Sequence, residues 1–229
     1  MTSFVLCHGG WAGGWQWREV ASLLRAAGHE VFTPTFTGLG ERVHLARPDI
    51  DLNTYIQDIP MVLKYEDLRD VVLLGYSMSA AVITGVAEEA VERIGHLVYL
   101  DPYLLEDGQS LADQLGPEIT AEIEQAAKTY GDGWRVPHNP PDADRRTDQA
   151  LKPLFTPLQI KNPAAAKLPR TFIYCTQGAQ DIGPLHLPIA RAAQKAKIDN
   201  HWRYRELSTG HMPMWTAPEE LADLLLELA

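Results

Sequence analysis

The chain has few cysteines, and none of them is placed for a disulfide framework or a metal site. Only two of its 229 residues are cysteines, Cys7 and Cys175. Neither lies in a run of Cys and His residues with the spacing that metal binding needs. Each follows apolar residues typical of a strand, so we expect two buried thiols in a reducing compartment. No metal or organic cofactor is expected.

Positive charge and long apolar runs are also scarce. The chain has 20 Lys and Arg against 30 Asp and Glu, which gives a net charge of −10. Without a basic stripe, nucleic acid and anionic membranes are excluded as expected partners. No apolar run approaches the ~20 residues of a membrane span. The first predicted strand begins near Thr2, so a secretory signal would overlap the core. These features predict a cytoplasmic protein.

Short apolar runs alternate with helix-like stretches along most of the chain. The strand-like runs are 4–7, 30–35, 71–74, 97–100, 171–175 and 202–207, and the helix-like stretches are 17–27, 51–63, 80–94 and 218–228. Strands that alternate with helices of ten or more residues indicate βαβ units. The sequence therefore predicts one α/β domain over 1–229, with a mostly parallel central sheet flanked by helices.

The pattern changes between residues 107 and 170. This stretch contains eight prolines, two helix-like pieces and no convincing strand. A structureless loop of that length is improbable inside a compact domain. We expect a small helical cap, inserted between two strands of the sheet.

A serine stands where a buried strand meets a helix. Ser77 lies in Gly75-Tyr76-Ser77-Met78-Ser79, directly after the apolar run 71–74 and before a helical run. A strained strand-to-helix turn lifts a serine hydroxyl above the sheet edge, and the residues two before and two after must be small. Gly75 meets this requirement, and Ser79 is small. Ser77 is therefore the predicted nucleophile, against the alternative of a turn serine that only caps the helix.

One of the eight histidines follows the last predicted strand. His211 lies in Ser208-Thr209-Gly210-His211-Met212, shortly before the last helix. In hydrolases with a serine on a strand-to-helix turn, the chain order is serine, acid, histidine, and the histidine follows the final strand. His211 is the predicted general base, and the alternative is a surface-loop histidine.

The oxyanion donors and the acid come from other strand ends. Gly10, in the His8-Gly9-Gly10 loop after the first strand, would supply a backbone N–H together with Met78. For His8 itself we expect a structural role within the loop. Two carboxylates compete for the acid: Asp181 lies after the strand 171–175, and Asp101 ends the strand 97–100. The residues alone leave this choice open.

These segments together resemble a known family. The chain is similar to the α/β-hydrolases related to plant methyl-ester esterases of the salicylate-binding type and to hydroxynitrile lyases, especially their bacterial esterase-like members. The resemblance is carried by FVLCHGGWAGGWQW (4–17), GLGER (38–42), GYSMS (75–79), LVYLDPYLLEDGQS (97–110), GWRVP (133–137) and WRYRELSTGH (202–211). It implies the α/β-hydrolase fold.

The resemblance also bears on the acid and on the chemistry. Bacterial members often lack an acid after the strand that matches 171–175, so the resemblance favours Asp101 over Asp181. The chain departs from the family at Tyr76, Met78 and Ser79, where other residues are more usual. Similar lyases carry a lysine where this chain has Met212, as the esterases do, which disfavours cyanohydrin cleavage.

The function predicted from these residues is hydrolysis of a small apolar carboxylic ester by a Ser-His-Asp triad. A lyase, dehydratase or cyclase of secondary metabolism is the first alternative, and a non-enzymatic small-molecule receptor is the second. The expected partner is a small-molecule substrate, and a homodimer is one option for its assembly. The residues predicted to line an apolar pocket are Trp11, Tyr76, Trp134, Met212, Met214 and Trp215.

Overall fold

A computed structural model describes residues 1–138 and 145–229. The strands are β1 (Ser3–Cys7), β2 (Glu30–Phe32), β3 (Val71–Tyr76), β4 (Ile94–Leu100), β5 (Arg135–Val136), β6 (Gln149–Ala150), β7 (Arg170–Cys175) and β8 (Arg203–Leu207). Six of them form one sheet in the order β2-β1-β3-β4-β7-β8, and every pairing in it is parallel. The predicted mostly parallel sheet is confirmed.

Ten α-helices accompany these strands in the described residues. They are α1 (Arg18–Ala26), α2 (Leu52–Tyr65), α3 (Ser79–Ala90), α4 (Leu111–Leu115), α5 (Pro117–Tyr130), α6 (Lys152–Phe155), α7 (Gly178–Ile182), α8 (Leu187–Ile198), α9 (Pro213–Thr216) and α10 (Pro218–Leu226). None of them is both long and apolar enough to cross a bilayer.

Alternate side chains of the central strands pack against opposite layers of helices. In β1, Val5 and Cys7 belong to the core shared with α2 and α3, whereas Phe4 and Leu6 belong to the core shared with α1 and α10. Successive side chains of a strand point to opposite faces, so a sheet covered on both faces needs apolar residues throughout. The fully buried β3 meets that requirement. Both cysteines are buried and free.

One helix prediction differs from the structure, and one helix was not predicted. The predicted helix 80–94 ends earlier, because α3 stops at Ala90 and a 3₁₀ turn, Val91–Arg93, leads into β4. No Gly or Pro separates the helix from the strand, and the apolar pattern continues across both. Helix α8, which buries Ile189, Ala193 and Ala196, was not predicted.

Residues 107–170, here called the cap segment, contain α4, α5 and α6 between β4 and β7. They also contain the antiparallel pair of β5 and β6, here called the cap hairpin. The expectation of no strand in this segment was therefore wrong. Each of these strands has only two residues, too few to show an alternating pattern. Residues 139–144, with Pro140 and Pro141, lie outside the described part of the chain.

Candidate active site

The predicted site residues meet at the carboxyl edge of the parallel sheet. Gly10 follows β1, Ser77 follows β3, Asp101 follows β4 and His211 follows β8. The carboxyl ends of parallel strands lie along one edge, so residues far apart in sequence are brought together there.

The turn that carries Ser77 is strained and tightly packed. Ser77 has φ +57°, a left-handed conformation that costs about 1–3 kcal/mol in a non-glycine residue. A Cβ at Gly75 would lie 2.6 Å from the carbonyl oxygen of Ser79, so only glycine fits there. The N–H of Ser77 donates to the carbonyl of Leu100 (3.0 Å), and the N–H of Tyr103 donates to the carbonyl of Ser77 (3.2 Å). These two bonds tie the turn to the end of β4.

Ser79, where the resembling family usually has glycine, cross-links this turn. Its Oγ accepts the N–H of Tyr76 (2.8 Å) and lies within hydrogen-bond distance of the carbonyls of Tyr76 (2.9 Å) and Cys7 (3.1 Å). The side chain is completely buried. The hydroxyl therefore serves the backbone of the turn and does not face a substrate.

Ser77, His211 and Asp101 form a continuous chain of hydrogen bonds. Nε2 of His211 lies 3.1 Å from Oγ of Ser77, and Nδ1 lies 2.6 Å from Oδ2 of Asp101. An ionised carboxylate can only accept, so Nδ1 carries the proton and Nε2 is free to accept the serine hydroxyl proton. Asp101 has φ +42° and no exposed surface.

Asp181, the competing carboxylate, contacts the backbone of His211 and not its ring. Its Oδ2 accepts the N–H of His211 at 2.6 Å. The residue lies in the short helix α7, which occupies the connection between β7 and α8. Asp181 thus fixes the loop that carries the histidine, while Asp101 contacts the imidazole.

The backbone N–H groups of Gly10 and Met78 are available next to Ser77. Among residues 1–138 and 145–229, neither group donates to another protein atom. The two residues are neighbours, since a Cβ at Gly10 would lie 3.4 Å from Sδ of Met78. Unpaired N–H groups at this place can stabilise a developing oxyanion.

His8 holds the loop that carries Gly10. Its Nδ1–H donates to the carbonyl of Gly9 (2.7 Å), and its Nε2 accepts the N–H of Phe36 (3.1 Å). The ring is fully buried, and this burial lowers the pKa of His8 from 6.5 to about 4. The imidazole is therefore neutral in the folded protein near neutral pH, and its contacts are structural.

This buried imidazole predicts a loss of stability in mild acid. The unfolded chain binds the His8 proton with a pKa near 6.5 and the folded chain with a pKa of about 4. Between these values the unfolded state takes up more protons, so the free energy of unfolding falls as the pH is lowered. The His8 contribution amounts to about 3 kcal/mol across the whole interval. Urea unfolding at a series of pH values measures it.

A matched variant separates His8 from the other titrating groups. His8→Gln keeps an acceptor for the N–H of Phe36 but does not titrate, so its unfolding free energy should fall less steeply over the same interval. Equal slopes for the two proteins would contradict the assignment.

The cap hairpin holds Trp11, the residue that follows Gly10. The N–H of Trp11 donates to Oε1 of Gln149 (3.1 Å), and its indole N–H donates to the carbonyl of Val136 (3.0 Å). Its own carbonyl accepts the N–H of Thr147 (3.0 Å). Trp11 has φ +58°, so these bonds support a strained residue. Gln149 was not predicted as a site residue, because its partner is 138 positions away in the sequence.

Gln149 also reaches the second oxyanion residue. Its Nε2 lies 3.1 Å from Sδ of Met78, and the side chain is almost completely buried. One amide side chain of the cap segment therefore contacts both sides of the predicted oxyanion hole.

A cavity of about 900 Å³ opens above Ser77 and His211. The cap segment supplies much of its apolar wall, with Leu111, Leu115, Ile119, Ile123 and Leu154. Of the predicted pocket residues, Trp11, Tyr76, Met212 and Trp215 line the cavity, as do Gly10 and Met78. Polar groups at its wall include Gln16, Glu122, Arg146, Gln149 and Asp181.

Two predicted pocket residues do not line this cavity. Met214 is completely buried in the core that includes Cys175 and Leu207, because it lies on the inner side of the short helix α9. Trp134 packs at the edge of the other core and is covered by the guanidinium of Arg135. Large apolar residues near a site are more often part of the core than of the pocket.

Asp101, His211 and a second buried histidine, His186, offer potential metal ligands. One ligand atom from each lies within 4.8 Å of the others. These same atoms are already used in hydrogen bonds, since Asp101 contacts both rings. A metal at this place would break the bond between His211 and Asp101.

Comparisons with known proteins agree with this architecture. A model of the alpha/beta hydrolase family matches residues 4–224. A carbendazim hydrolyzing esterase from Nocardioides sp. (strain SG-4G) is 46% identical over 127 residues, which are 54% of this chain and 52% of that esterase. Methylesterase 1 of Arabidopsis thaliana is 25% identical over 267 residues, covering 99% of this chain and 95% of the relative.

A solved structure agrees over the whole chain. An extracellular alpha/beta-hydrolase from a Paenibacillus species superposes with a TM-score of 0.80 at 26% identity, covering 99% of this chain and 98% of that one. The expected fold is therefore confirmed, and this chain belongs to the alpha/beta hydrolase family.

Proposed function

We propose that the protein is a serine esterase that hydrolyses small apolar carboxylic esters with Ser77, His211 and Asp101. The observation that carries the proposal is the chain of hydrogen bonds from Oγ of Ser77 through both ring nitrogens of His211 to Oδ2 of Asp101. Relatives named as esterases and methylesterases support carboxylic esters as the substrate class.

The geometry accounts for each step of ester hydrolysis. His211 Nε2 takes the proton of the Ser77 hydroxyl as Oγ attacks the ester carbonyl carbon. The N–H groups of Gly10 and Met78 stabilise the resulting oxyanion. The protonated His211 then gives its proton to the leaving alkoxide, and an acyl-enzyme remains. Water, activated by the same imidazole, releases the carboxylic acid and restores Ser77.

Asp101 acts through His211 in both halves of this cycle. Its carboxylate keeps the proton on Nδ1, so that Nε2 is available to Ser77, and it stabilises the imidazolium that forms. Burial would raise the pKa of Asp101, but hydrogen bonds from His186 and His211 outweigh burial and keep the pKa below its usual value. The carboxylate is therefore charged when the cycle needs it.

The cavity favours an apolar substrate with a flat or aromatic part. At its wall, the rings of Trp15 and Trp215 stack with their centroids 6.0 Å apart, and the guanidinium of Arg146 lies 5.8 Å from the centroid of the Trp215 ring. Aromatic walls favour planar ligands by stacking. The volume of about 900 Å³ accommodates esters considerably larger than an acetate.

The alternatives are less well supported. A lyase, dehydratase or cyclase is suggested by the unusual residues Tyr76, Met78 and Ser79. Tyr76 and Met78 line the cavity, but the Ser79 hydroxyl binds the backbone away from it. A receptor without turnover does not need a complete hydrogen-bonded triad beside available oxyanion donors. We also propose that the partner is a small-molecule substrate and that the protein binds neither nucleic acid nor membranes. A cytoplasmic location and assembly as a homodimer are proposals as well.

Covalent trapping tests the proposed function. The purified protein should hydrolyse p-nitrophenyl butyrate, and a fluorophosphonate should add one phosphonyl group and abolish turnover. Peptide mapping by mass spectrometry should place this group on Ser77. Turnover that persists in the fully labelled protein, or a label on another residue, would exclude Ser77 as the nucleophile.

A further inference from the structure

A second buried histidine contacts the triad carboxylate. His186 ends the 3₁₀ segment Gly183–His186, directly before α8, and only 2% of its surface is exposed. Its Nε2 lies 3.0 Å from Oδ2 and 3.3 Å from Oδ1 of Asp101. A triad needs one histidine on its carboxylate, so the mechanism above does not account for this second ring.

The contact gives Asp101 a full set of donors. Oδ2 accepts from Nδ1 of His211 (2.6 Å) and from His186, and Oδ1 accepts the backbone N–H of Cys175 (3.0 Å). A buried carboxylate is stable as an ion only when hydrogen bonds replace its lost hydration. Because the carboxylate can only accept, Nε2 of His186 carries a proton.

The packing of His186 fixes the direction of this N–H. The ring stacks on Tyr174, with centroids 5.5 Å apart and planes at 20°, and its centroid lies 6.3 Å from that of the His211 ring. A Cβ at Gly178 would overlap Nε2 of His186, so glycine at that position leaves room for the ring. The imidazole is therefore held with Nε2 towards Asp101.

Few other groups near this cluster can change charge. Tyr76, Tyr103, Tyr174, Tyr204 and Cys175 lie close enough to Asp101 to feel its charge, and burial raises the pKa of each of them above its usual value. These five groups stay neutral over roughly pH 5 to 9. Among residues 1–138 and 145–229, the charged groups close to the cluster include Asp181, which binds the backbone of His211, and Arg146, which acts on Tyr76 from the cavity wall.

We propose that His186 is a positioning residue, whose Nε2–H holds the carboxylate of Asp101 in the orientation that His211 requires and draws part of its negative charge away from Nδ1. This inference rests on the proposed function, because its effect is transmitted through Asp101 and His211. His186 touches neither Ser77 nor the cavity. His186 therefore affects catalysis indirectly. It changes how strongly His211 binds a proton and how Asp101 is oriented relative to the His211 ring.

Two substitutions separate this role from packing. His186→Phe keeps a flat ring on Tyr174 but removes the donor, and His186→Gln places an amide N–H near the position of Nε2. With p-nitrophenyl butyrate, H186F should lower kcat roughly ten- to a hundredfold, the effect of losing one hydrogen bond to a charged group, with little change in KM. H186Q should recover most of this loss.

The pH dependence of kcat/KM distinguishes the two roles, because a loss of packing alone would leave it unchanged. Without the His186 donor, more negative charge remains on Asp101 facing His211, and the protonated imidazole is stabilised. The acidic limb of kcat/KM should therefore move to higher pH by about half a unit or more in H186F and return in H186Q. As a matched control, the exposed His201, whose Nδ1 contacts Asp199 at 2.7 Å, should be replaceable by Phe without effect.

Three outcomes would overturn the proposal. H186F could keep both kcat and the acidic limb of the wild-type protein. It could lose activity with an unmoved limb and no recovery in H186Q, which is the result for packing alone. If H186F does not fold, proton NMR of the wild-type protein decides: two imidazole N–H signals should lie at low field, and absence of the His186 signal contradicts the bond.

The NMR measurement also separates this proposal from the proposed function. It observes the bond between His186 and Asp101 whether or not an ester is hydrolysed. A protein without esterase activity that shows both signals would refute the function and leave the hydrogen bond in place.

Discussion

Replacement of Ser77 by alanine is expected to reduce kcat for p-nitrophenyl butyrate by a factor of about 10⁵ to 10⁶. The variant removes the atom that attacks the carbonyl and leaves His211 Nε2 without the proton that it takes up. Among the described residues, the one hydrogen bond of Ser77 Oγ is to His211, so little else is disturbed. Alanine in the left-handed conformation at this turn is strained to a similar degree as serine. The residual rate is measured from the p-nitrophenol released during long incubations at high enzyme concentration.

The control is a serine nearby that the mechanism does not use. Ser208 stands three residues before His211 in the sequence. It is exposed, and its Oγ lies 3.3 Å from Nε2 of Gln177. Ser208→Ala should retain the wild-type rate, and both variants should show the thermal midpoint of the parent within a few degrees. A Ser77→Ala protein that keeps more than a small fraction of the parental kcat would refute nucleophilic catalysis by this residue.

The second large effect distinguishes the two carboxylates. Asp101→Asn should lower kcat by about 10⁴, because an amide can present an N–H to His211 Nδ1 and so favour the wrong tautomer of the ring. Asparagine has nearly the same size, so the fold should be kept. The same change also loses an ionic acceptor for His186, which adds to the disorder of the triad.

Asp181→Asn provides the matched comparison. Its side-chain oxygen can still accept the N–H of His211, the single hydrogen bond that Asp181 makes to this residue. We expect a loss of kcat of less than about tenfold, since only the loop and not the ring is affected. The reverse order, with Asp181→Asn as the more damaging change, would show that the acid in solution is Asp181.

Much of the sheet was predictable because its strands are buried on both faces. Runs such as 71–74 and 97–100 are apolar at every position, and a parallel sheet covered by helices on both faces needs that pattern. The positions of Ser77 and His211 followed from chain order: one residue follows the strand before a helix, and the other follows the last strand. These are local signals, which a single sequence displays.

The acid was not predictable from the residues because both carboxylates follow strands that end at the same edge. What separates them is the direction of the side chain. Asp101 points to the imidazole from a left-handed backbone position with φ +42°, and Asp181 points to a backbone N–H from a short helix. The backbone conformation of a single residue is set by the packing around it. It therefore cannot be predicted from the composition of the sequence or from the spacing of its residues.

His186 and Gln149 were missed for a related reason. Each meets its partner across a long stretch of chain, 85 residues from His186 to Asp101 and 138 residues from Gln149 to Trp11. Neither lies in a local pattern that indicates a role. Met214 shows the reverse error, since an apolar residue close to His211 in sequence is buried in the core.

The hydrogen bonds between Trp11 and the cap segment limit which parts of the cap can change when the substrate specificity changes. A cap that only covered the pocket could be exchanged freely to change the substrate. Here Val136, Thr147 and Gln149 of the cap segment bind the residue next to Gly10, so the same segment shapes the pocket and holds an oxyanion donor. New specificity, whether by evolution or by engineering, is therefore more accessible through α4 and α5, whose described residues line the cavity and make no hydrogen bond to that loop.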